Sequence, residues 1–256
     1  TPYGVSVTGN RDEYLGELKA ALQNFMLRRM KYQVRPDMPK VLISDLVVEP
    51  GPVDLEVEFF TQWRNGGDDR VMRVVNDEEK IAAAADPETL EAIAAQTPVY
   101  RRYVGLQKVA PVVELVSDML TQDRKVKIVL FAWHKGVIEG LRRGLTQFGA
   151  VTLYGGTNPD TRQKNIDSFQ HLSSCRVFIG NTLAAGTAIG LHAAHHGLMV
   201  EPDWVPGTNA QAIMRMDGPA QNKAITVQFV SIAGTIDEQI QRTLSRKTKM
   251  LSQLFD

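Results

Sequence analysis

Short apolar runs alternate with longer amphipathic segments from residue 126 to the end of the chain. Val126–Ala132 is apolar throughout, as expected for a parallel strand that is buried on both faces. Similar runs predict four more strands, at Val151–Tyr154, Val177–Ile179, Leu198–Val200 and Ala224–Ser231. Amphipathic segments predict helices at Gly136–Phe148, Pro159–Phe169 and Ile236–Leu254. Strands that alternate with helices indicate βαβ units, so the predicted fold class is α/β, a parallel sheet flanked by helices.

The first 110 residues have a different, mostly helical pattern. Asn10 followed by Glu13 is a capping-box pattern, and leucines at helical spacing predict a helix over Arg11–Lys31. A strand is predicted at Val41–Glu49, whereas Val53–Trp63 fits both strand and helix periodicity. Further helices are predicted at Asp77–Ala85, at Pro87–Gln96 and, as one helix or two, at Val99–Gln122.

One stretch, Val177–Gln221, combines the features of a ligand site. A turn of small residues at Ala184–Ala188 follows the first of its two strands, and a helix is predicted before the second. A loop then leads to Gln211 and Arg215, which stand four residues apart and would share one helical face. In an open α/β sheet, a glycine turn at the carboxyl end of a strand beside such a face is where a phosphate ligand binds.

The residues of this stretch follow three ordered patterns: A-A-G-x-G-I-x-L, then D-W-x-P, then Q-A-x-x-R-x-x-R-x-G-Q. Matching residues are Ala184, Ala185, Gly186, Ile189, Leu191, Asp203, Trp204, Pro206, Gln211, Ala212, Arg215 and Gln221. The series resembles motifs V and VI of the Swi/Snf-related DNA translocases, within the superfamily-two helicases. Four positions depart from it: Ala188 and Ala220 replace glycines, Gly190 replaces a usual asparagine, and Gly218 stands where the second arginine belongs.

Other segments carry the same resemblance. Phe25–Lys31 is similar to the family's F-M-L-R-R-x-K, where the chain leaves the first motor lobe, and Gly105–Lys108 to the G-x-x-K that leads into the second. Gly234–Glu238 resembles G-T-I-D-E, with Lys247 following. The resemblance implies a RecA-like fold. Residues 1–110 would be a helical linking region from a first lobe outside this sequence, and residues 111–256 the second RecA-like lobe.

The charge balance restricts how nucleic acid could be bound. Lys and Arg total 29 and so do Asp and Glu, so any DNA contact must be a local patch rather than an overall basic field. The single cysteine, Cys175, excludes an internal disulfide and suits a reducing compartment, so an intracellular location is expected. No apolar run approaches the roughly 18 residues of a membrane helix, so no membrane partner is expected.

Two phosphate-transfer motifs are missing from the sequence. It contains no G-x-x-x-x-G-K-[ST] phosphate loop and no acidic pair in a D-E-x-H setting that would hold magnesium. The resemblance implies that both lie on the first lobe, so ATP with Mg²⁺ would be used only together with that lobe. We therefore expect this chain alone not to hydrolyse ATP.

Five residues are candidate site residues. The resemblance implies that Arg215 is the catalytic arginine at the nucleotide, with Gly186 and Gln211 also in the nucleotide site. Thr182 and Arg162 would contact DNA phosphates, Thr182 through a turn whose backbone N–H groups can hold phosphate oxygens. The ordinary alternatives are a surface salt bridge for Arg215, a plain tight turn around Gly186 and a solvated side chain for Arg162.

Three histidines invite a metal interpretation. On a helix, His192 and His196 would stand four residues apart, the spacing of many zinc pairs, with His195 beside them. No Glu follows His192 as in H-E-x-x-H and no third ligand is evident, so no metal site is predicted. Trp204 is interpreted as a packing anchor rather than as a residue that stacks on bases.

The resemblance implies ATP hydrolysis coupled to movement on duplex DNA through backbone contacts, with the first lobe as partner. Phe131–Lys135 and Asp203–Pro206 indicate the annealing-helicase (HARP-like) branch. The alternative is a motor remnant that binds DNA or a protein without hydrolysing ATP, and Gly218 favours a slow or inactive motor because it lacks the arginine of the pattern. A glycosyltransferase-like α/β enzyme is disfavoured, since no sugar-nucleotide signature is present.

Overall fold

The computed structural model describes residues 40–52, 100–182, 189–218 and 221–255, with isolated positions at 16, 17, 20, 21 and 98. The chain divides into two compact units, Thr1–Met38 with Ser245–Asp256, and Pro39–Leu244. Of the predicted helix Arg11–Lys31, only residues 16, 17, 20 and 21 are described, and they are helical. The predictions for residues 53–63, 77–85 and 87–96 lie outside the described residues.

Six parallel strands form one sheet in the second unit. They are β1 (Val41–Val47), β2 (Ile128–Ala132), β3 (Ala150–Leu153), β4 (Val177–Asn181), β5 (His196–Met199) and β6 (Ile225–Ser231). Their spatial order is β1-β6-β5-β2-β4-β3, and every neighbouring pair is parallel. The predicted α/β class with a parallel sheet is confirmed. Each strand overlaps the range predicted for it, with small shifts at the ends.

Helices connect and flank these strands. They are α1 (Val109–Gln122), α2 (Lys135–Gly144), α3 (Pro159–His171), α4 (Pro206–Ile213) and α5 (Ile236–Phe255), and residues 100–107 are also helical. α3 begins as its sequence predicts. The side chain of Asn158 accepts the N–H of Asp160 at 2.9 Å, and Pro159 occupies the first helical position.

α2 is shorter than predicted because the chain must turn into β3. The helix ends at Gly144 and a 3-10 turn, Thr146–Phe148, follows it. Gly149 then adopts a φ of 70°, which a side chain would disfavour. A Cβ at this glycine would also lie 2.1 Å from the carbonyl oxygen of Ser174, so the close approach of the two backbones requires glycine here.

Two hydrophobic cores lie on opposite faces of the sheet, because successive side chains of a strand point in opposite directions. On β2, Val129 and Phe131 belong to one core, whereas Ile128, Leu130 and Ala132 belong to the other. All five side chains are fully buried. Burial on both faces explains why this strand is apolar throughout.

Between β4 and β5 the structure corrects one predicted element. Residues 189–195 are not helical, and His192 and Ala193 form a turn. The side chain of Gln170 accepts the N–H of Ala193 at 2.9 Å, and the side chain of Gln221 donates to the carbonyl of Ala194 at 2.8 Å. These side chains satisfy backbone groups that a helix would pair internally, so this segment is stabilised as turns.

At one edge of the sheet, β1 pairs with β6, Val41–Val47 against Ile225–Ser231. The sheet therefore takes one strand from the region that the sequence assigns to the linking segment. The boundary between linking segment and lobe at residue 110 stays a prediction. No described helix combines the length and the apolar character needed to span a membrane.

Candidate functional site

The three strands β4, β2 and β5 are adjacent and end side by side at the carboxyl edge of the sheet. Asn181 closes β4, Trp133 follows β2, and Glu201 lies just beyond β5. The Asn181 side chain donates from Nδ2 to the carbonyl of Trp133 at 2.7 Å. Ligands of open α/β sheets bind at the carboxyl ends of the strands, so polar residues at this edge are the first candidates for function.

Glu201 is the centre of a buried polar cluster at this edge. Its Oε2 accepts the backbone N–H groups of Trp133 and His134, both at 2.9 Å. Its Oε1 lies 2.6 Å from Nδ1 of His134. Gly105 leaves room for the carboxylate, since a Cβ at that position would lie 2.3 Å from Oε1. Glu201 therefore fixes the conformation of the turn between β2 and α2.

The surroundings of Glu201 favour its charged form. Burial by itself raises the pKa of this carboxyl, but the hydrogen bond from the His134 side chain and the charges of His134 and Lys108 lower it. The resulting pKa of Glu201 lies below the ordinary glutamate value. An ionised carboxylate forms stronger hydrogen bonds than a neutral one, so it holds the turn more firmly.

The helical residues 100–107 add a cation to this cluster. Arg101 donates from Nη2 to the carbonyl of Pro202 at 2.7 Å, and its guanidinium lies 5.2 Å from the centre of the Trp133 ring. Burial lowers the pKa of Arg101, although the charge of Glu201 opposes that effect. Arg101 thus contacts the side chain of Trp133, and Glu201 binds its backbone N–H.

No pattern in the sequence singles out Glu201 or Arg101. The one local sign of such a role is that Glu201 directly follows an apolar strand. Burying an uncompensated charge there would be costly, so an acidic residue at this position needs partner groups. The partner groups lie 67 and 68 residues away in the chain, so local pattern cannot identify them.

Lys108 and Asp237 form a buried ion pair. Nζ of Lys108 lies 3.0 Å from Oδ1 of Asp237, and the two side chains are 2% and 5% exposed. The other carboxylate oxygen accepts the N–H of Ile232 at 3.0 Å. The structure therefore joins Gly105–Lys108 to Gly234–Glu238, two segments that carry the family resemblance.

The loop between β5 and α4 is fixed by side-chain hydrogen bonds to its own backbone. Asn209 accepts the N–H of Asp203 and donates to its carbonyl, both at 2.8 Å. Asp203 accepts the N–H of Val205 at 2.7 Å. Trp204 packs against a hydrophobic cluster, which confirms its prediction as a packing residue. The buried members of that cluster are Tyr100, Val104, Ile232 and Ile236.

Gln211 and Arg215 lie on either side of the end of α4 at Ile213, so their predicted shared face stays a prediction. The N–H of Arg215 bonds to the carbonyl of Ala212 at 3.1 Å, three residues back, which tightens the chain into a turn. Gln211 is exposed in the last turn of the helix, whereas Arg215 is half-buried just beyond it, with its Nε buried.

The turn after α4 is joined to the turn before β5. The N–H of Leu191 donates to the carbonyl of Arg215 at 2.6 Å. Nε2 of Gln221 lies 3.2 Å from the carbonyl oxygen of His192 and 3.3 Å from that of Met216. The segments that resemble motifs V and VI are therefore adjacent, and Gln221 connects them.

The predicted DNA-binding residues lie on or near the carboxyl edge. Thr182 follows β4 but is fully buried, with Oγ1 3.5 Å from the carbonyl oxygen of Ala132. The Thr182 side chain is thus not exposed to DNA. Arg162 lies half-buried in the first turn of α3. Gly186, predicted at the nucleotide, lies outside the described residues.

The histidines do not form the helical pair that their spacing suggests, because His192 lies in a turn and His196 begins β5. The rings of His195 and His196 are 4.3 Å apart. Burial lowers the pKa of both imidazoles, and the positive charge of Lys223 lowers it further. Within the described ranges, no group of three His, Cys, Asp or Glu residues could hold a metal ion.

This arrangement has counterparts among known proteins. Residues 108–217 match the family described as "Helicase conserved C-terminal domain". Among solved structures, the C-terminal part of the Fun30 ATPase domain superposes with a TM-score of 0.56 at 14% identity, covering 81% of this chain and 90% of that chain. At this level of identity the likeness indicates the fold alone.

Relatives with longer chains are similar over most of this sequence. A "SWI/SNF-related matrix-associated actin-dependent regulator of chromatin subfamily A-like protein 1" from Drosophila melanogaster is 27% identical, over 96% of this chain and 31% of its own length. "DNA annealing helicase and endonuclease ZRANB3" from Mus musculus is 22% identical, over 92% of this chain and 21% of its own length. "DNA repair protein RAD5A" from Arabidopsis thaliana is 26% identical, over 61% of this chain and 15% of its own length. The chain thus spans a third or less of each of these curated relatives.

The parallel sheet, the joined turns after α4 and before β5, and the matched domain define a RecA-like C-terminal helicase lobe. More narrowly, the matched helicase domain and the similarity to Swi/Snf-related relatives over more than nine-tenths of this chain support a C-terminal lobe of a Swi/Snf-related superfamily-two helicase.

Proposed function

We propose that this lobe completes the nucleotide site of an ATP-dependent duplex-DNA translocase, with Arg215 as its catalytic arginine. The observation that carries the proposal is the 2.6 Å hydrogen bond from Leu191 to the carbonyl of Arg215. It fixes the backbone of Arg215 against the segment that leads out of the small-residue turn. A guanidinium held on a fixed backbone can stabilise charge that develops on a transferring phosphate.

The donor groups at this place suit a phosphate rather than a metal ion. Arg215 is a permanent cation with several N–H donors, and Gln211 offers an exposed amide one helical turn earlier. Magnesium would be held by carboxylates of the first lobe, where it would neutralise charge on the phosphates. Gly186, as part of the small-residue turn, is proposed to lie near the same nucleotide.

The carboxyl edge of the sheet is the proposed DNA surface. Arg162 in α3 would contact a backbone phosphate, and the turn after Thr182 would offer backbone N–H groups. Contacts of this kind do not read bases, so binding should be independent of sequence and weakened by salt. A translocase that acts on duplex DNA would work inside the cell, in line with the DNA-repair and chromatin names of the relatives.

Within the family, we propose the annealing-helicase branch. The relatives that are similar over more than nine-tenths of this chain include the protein named "DNA annealing helicase and endonuclease". Of the two segments that suggest this branch in the sequence, Phe131–Lys135 provides the N–H groups that Glu201 accepts, and Asp203–Pro206 begins two residues after Glu201.

A second candidate function is a motor remnant that binds DNA or a protein partner without hydrolysing ATP. Gly218 favours it, because a glycine offers no side chain where the family pattern has its second arginine. The two candidates make opposite predictions for ATP turnover when both lobes are present.

ATP turnover by two samples tests the proposal: this chain alone, and the protein that carries this lobe together with its first lobe. The chain alone should release no phosphate above a no-enzyme control, and the two-lobed protein should release phosphate when duplex DNA is added. Phosphate release by the chain alone would contradict the first expectation. A two-lobed protein that binds DNA but never hydrolyses ATP would favour the remnant.

A further inference from the structure

Two glycines that depart from the motif pattern lie against the same histidine ring. A Cβ at Gly190 would lie 3.2 Å from Nδ1 of His192, and a Cβ at Gly218 would lie 3.8 Å from the same atom. The pattern has an asparagine at the first position and an arginine at the second. An imidazole therefore lies where two polar side chains of the pattern are absent.

Gln170 determines which nitrogen of this ring carries the proton. Its Oε1 accepts the N–H of Ala193 at 2.9 Å and its Nε2 donates to the carbonyl of Gly190 at 2.7 Å, so its amide orientation is fixed by two backbone groups. The same Nε2 lies 3.2 Å from Nδ1 of His192. Because Nε2 of Gln170 is a donor, Nδ1 of the histidine accepts, and the neutral ring carries its hydrogen on Nε2.

The backbone that carries His192 is rigidly connected to the proposed nucleotide site. The N–H of Leu191, its neighbour in the chain, bonds to the carbonyl of Arg215. Nε2 of Gln221 lies 3.2 Å from the carbonyl oxygen of His192 and 3.3 Å from that of Met216, the residue that follows Arg215 in the chain. His192 and Arg215 are thus carried by two turns that are held together.

Core packing does not explain why a histidine stands at position 192. His192 is exposed and belongs to none of the described core clusters. Its ring has one nitrogen occupied by Gln170 and the other presented as a donor. An exposed ring that is held in one tautomer by a second side chain is an arrangement suited to contact with an acceptor.

We propose that His192 contacts the terminal phosphate of the bound nucleotide, donating from Nε2–H at the position where Gly218 leaves no arginine. The inference rests on the proposed function and names one further residue of that same site. The step is a hydrogen bond to a phosphate oxygen, so no proton is transferred and no bond is made or broken by the histidine. Gln170 is the positioning residue for this contact.

Nucleotide affinity of the two-lobed protein tests the proposal directly, with MgADP and a non-hydrolysable MgATP analogue as the two probes. His192→Ala should weaken binding of the ATP analogue by about tenfold or more, the effect of losing a hydrogen bond to a charged group. Affinity for ADP should stay unchanged, because ADP lacks the terminal phosphate. His192→Gln should retain most of the affinity, since its amide nitrogen can take the place of Nε2, and His192→Asn should not.

A second substitution strengthens the test. A Cβ at Gly218 meets only ordinary contacts, so Gly218→Arg should fold, and it should restore affinity for the ATP analogue in the His192→Ala protein. Unchanged affinity for the analogue in His192→Ala would overturn the inference, as would an equal loss for both nucleotides, which is what a structural role predicts. Absent DNA-stimulated turnover in the unaltered protein would instead contradict the proposed function, and the affinity difference would still decide the role of His192.

Discussion

Nζ of Lys108 lies 3.0 Å from Oδ1 of Asp237, and both side chains are almost fully buried. The two residues are 129 positions apart in the chain. One precedes α1 and the other lies in the first turn of α5, so their ion pair ties the start of α1 to the start of α5. Burial makes each charge dependent on the other, because an uncompensated ion in this place would be strongly disfavoured.

Removing one member of this pair should destabilise the lobe severely. Asp237→Ala leaves the Lys108 ammonium buried without its counter-ion, and we expect the free energy of unfolding to fall by about 3–5 kcal/mol. Lys108→Met combined with Asp237→Leu should recover much of this loss. Urea denaturation measures both. Arg242→Ala is the matched control, because it breaks an exposed pair with Glu238 at 3.5 Å and should cost about 0.5 kcal/mol or less. Equal effects of Asp237→Ala and Arg242→Ala would refute a special role for the buried pair.

Because Glu201 is ionised in the folded chain, the free energy of unfolding should depend on pH. Its pKa is lower in the folded chain than in an unfolded chain, so its contribution is fully present above the ordinary glutamate pKa of about 4.3 and is lost as the pH falls through the folded value. Glu201→Gln should therefore lower the unfolding free energy near neutral pH and flatten its decline in acid. The measurement is urea denaturation over a pH series.

Glu139 offers the comparison for this pH series. Its pKa is also lowered, chiefly by the hydrogen bond from Arg142, but its side chain is 28% exposed. Solvent screens such a pair, so Glu139→Gln should change the acid limb far less than Glu201→Gln. Superimposable curves for the unaltered protein and Glu201→Gln would show that the Glu201 carboxylate does not stabilise the fold through its charge.

A methyl group at Gly105 should disturb the cluster around Glu201. The added Cβ would lie 2.3 Å from Oε1 and 3.1 Å from Val137, so either the carboxylate or residues 100–107 must move. We expect Gly105→Ala to lower the unfolding free energy by about 1–3 kcal/mol. Gly207 lies inside α4 with no atom within 4 Å of its added Cβ, so Gly207→Ala should be neutral or stabilise by about 0.5–1 kcal/mol. A thermal midpoint for Gly105→Ala at or above that of Gly207→Ala would be inconsistent with this packing.

The positions of the central strands follow from the sequence because parallel strands buried on both faces must be apolar throughout. β2 is the clearest example, with all five side chains in the two cores. The helix predicted before β5 does not form at residues 189–195, because the side chains of Gln170 and Gln221 form hydrogen bonds with backbone groups of that segment. Those glutamines lie in other elements, and no local periodicity reveals them.

Of the candidate site, the motif residues are recognisable in the sequence but their surroundings are not. Arg215 is identifiable from its pattern, whereas the end of α4 before it is not, since tight turns at helix ends depend on tertiary contacts. The burial of Thr182 is likewise unexpected, because a polar residue after a strand is ordinarily exposed. Glu201 is missed because its charge is compensated by backbone N–H groups distant in the chain.

DNA binding by the two-lobed protein should depend on Arg162 and on salt. Arg162→Ala should weaken binding of duplexes of unrelated sequence to the same extent and reduce the slope of log affinity against log salt by about 1. Lys164→Ala is the control, because this exposed lysine is on the same helix but two residues further on. Fluorescence anisotropy across a salt series measures the slope. Salt-independent affinity, or a strong preference for one sequence, would exclude a phosphate-contacting surface at this edge.

DNA-stimulated ATP turnover by the two-lobed protein, with and without Arg215→Ala, shows whether Arg215 is the catalytic arginine. Arg215→Lys is a second variant, which keeps a positive charge without the guanidinium geometry. Arg242→Ala controls for the loss of a surface arginine, since its side chain is 60% exposed. If Arg215 stabilises charge on the transferring phosphate, Arg215→Ala should lower kcat by about 10³-fold or more while duplex DNA still binds, and Arg242→Ala should not change it. Turnover by Arg215→Ala at the rate of the unaltered protein would contradict a catalytic role for Arg215.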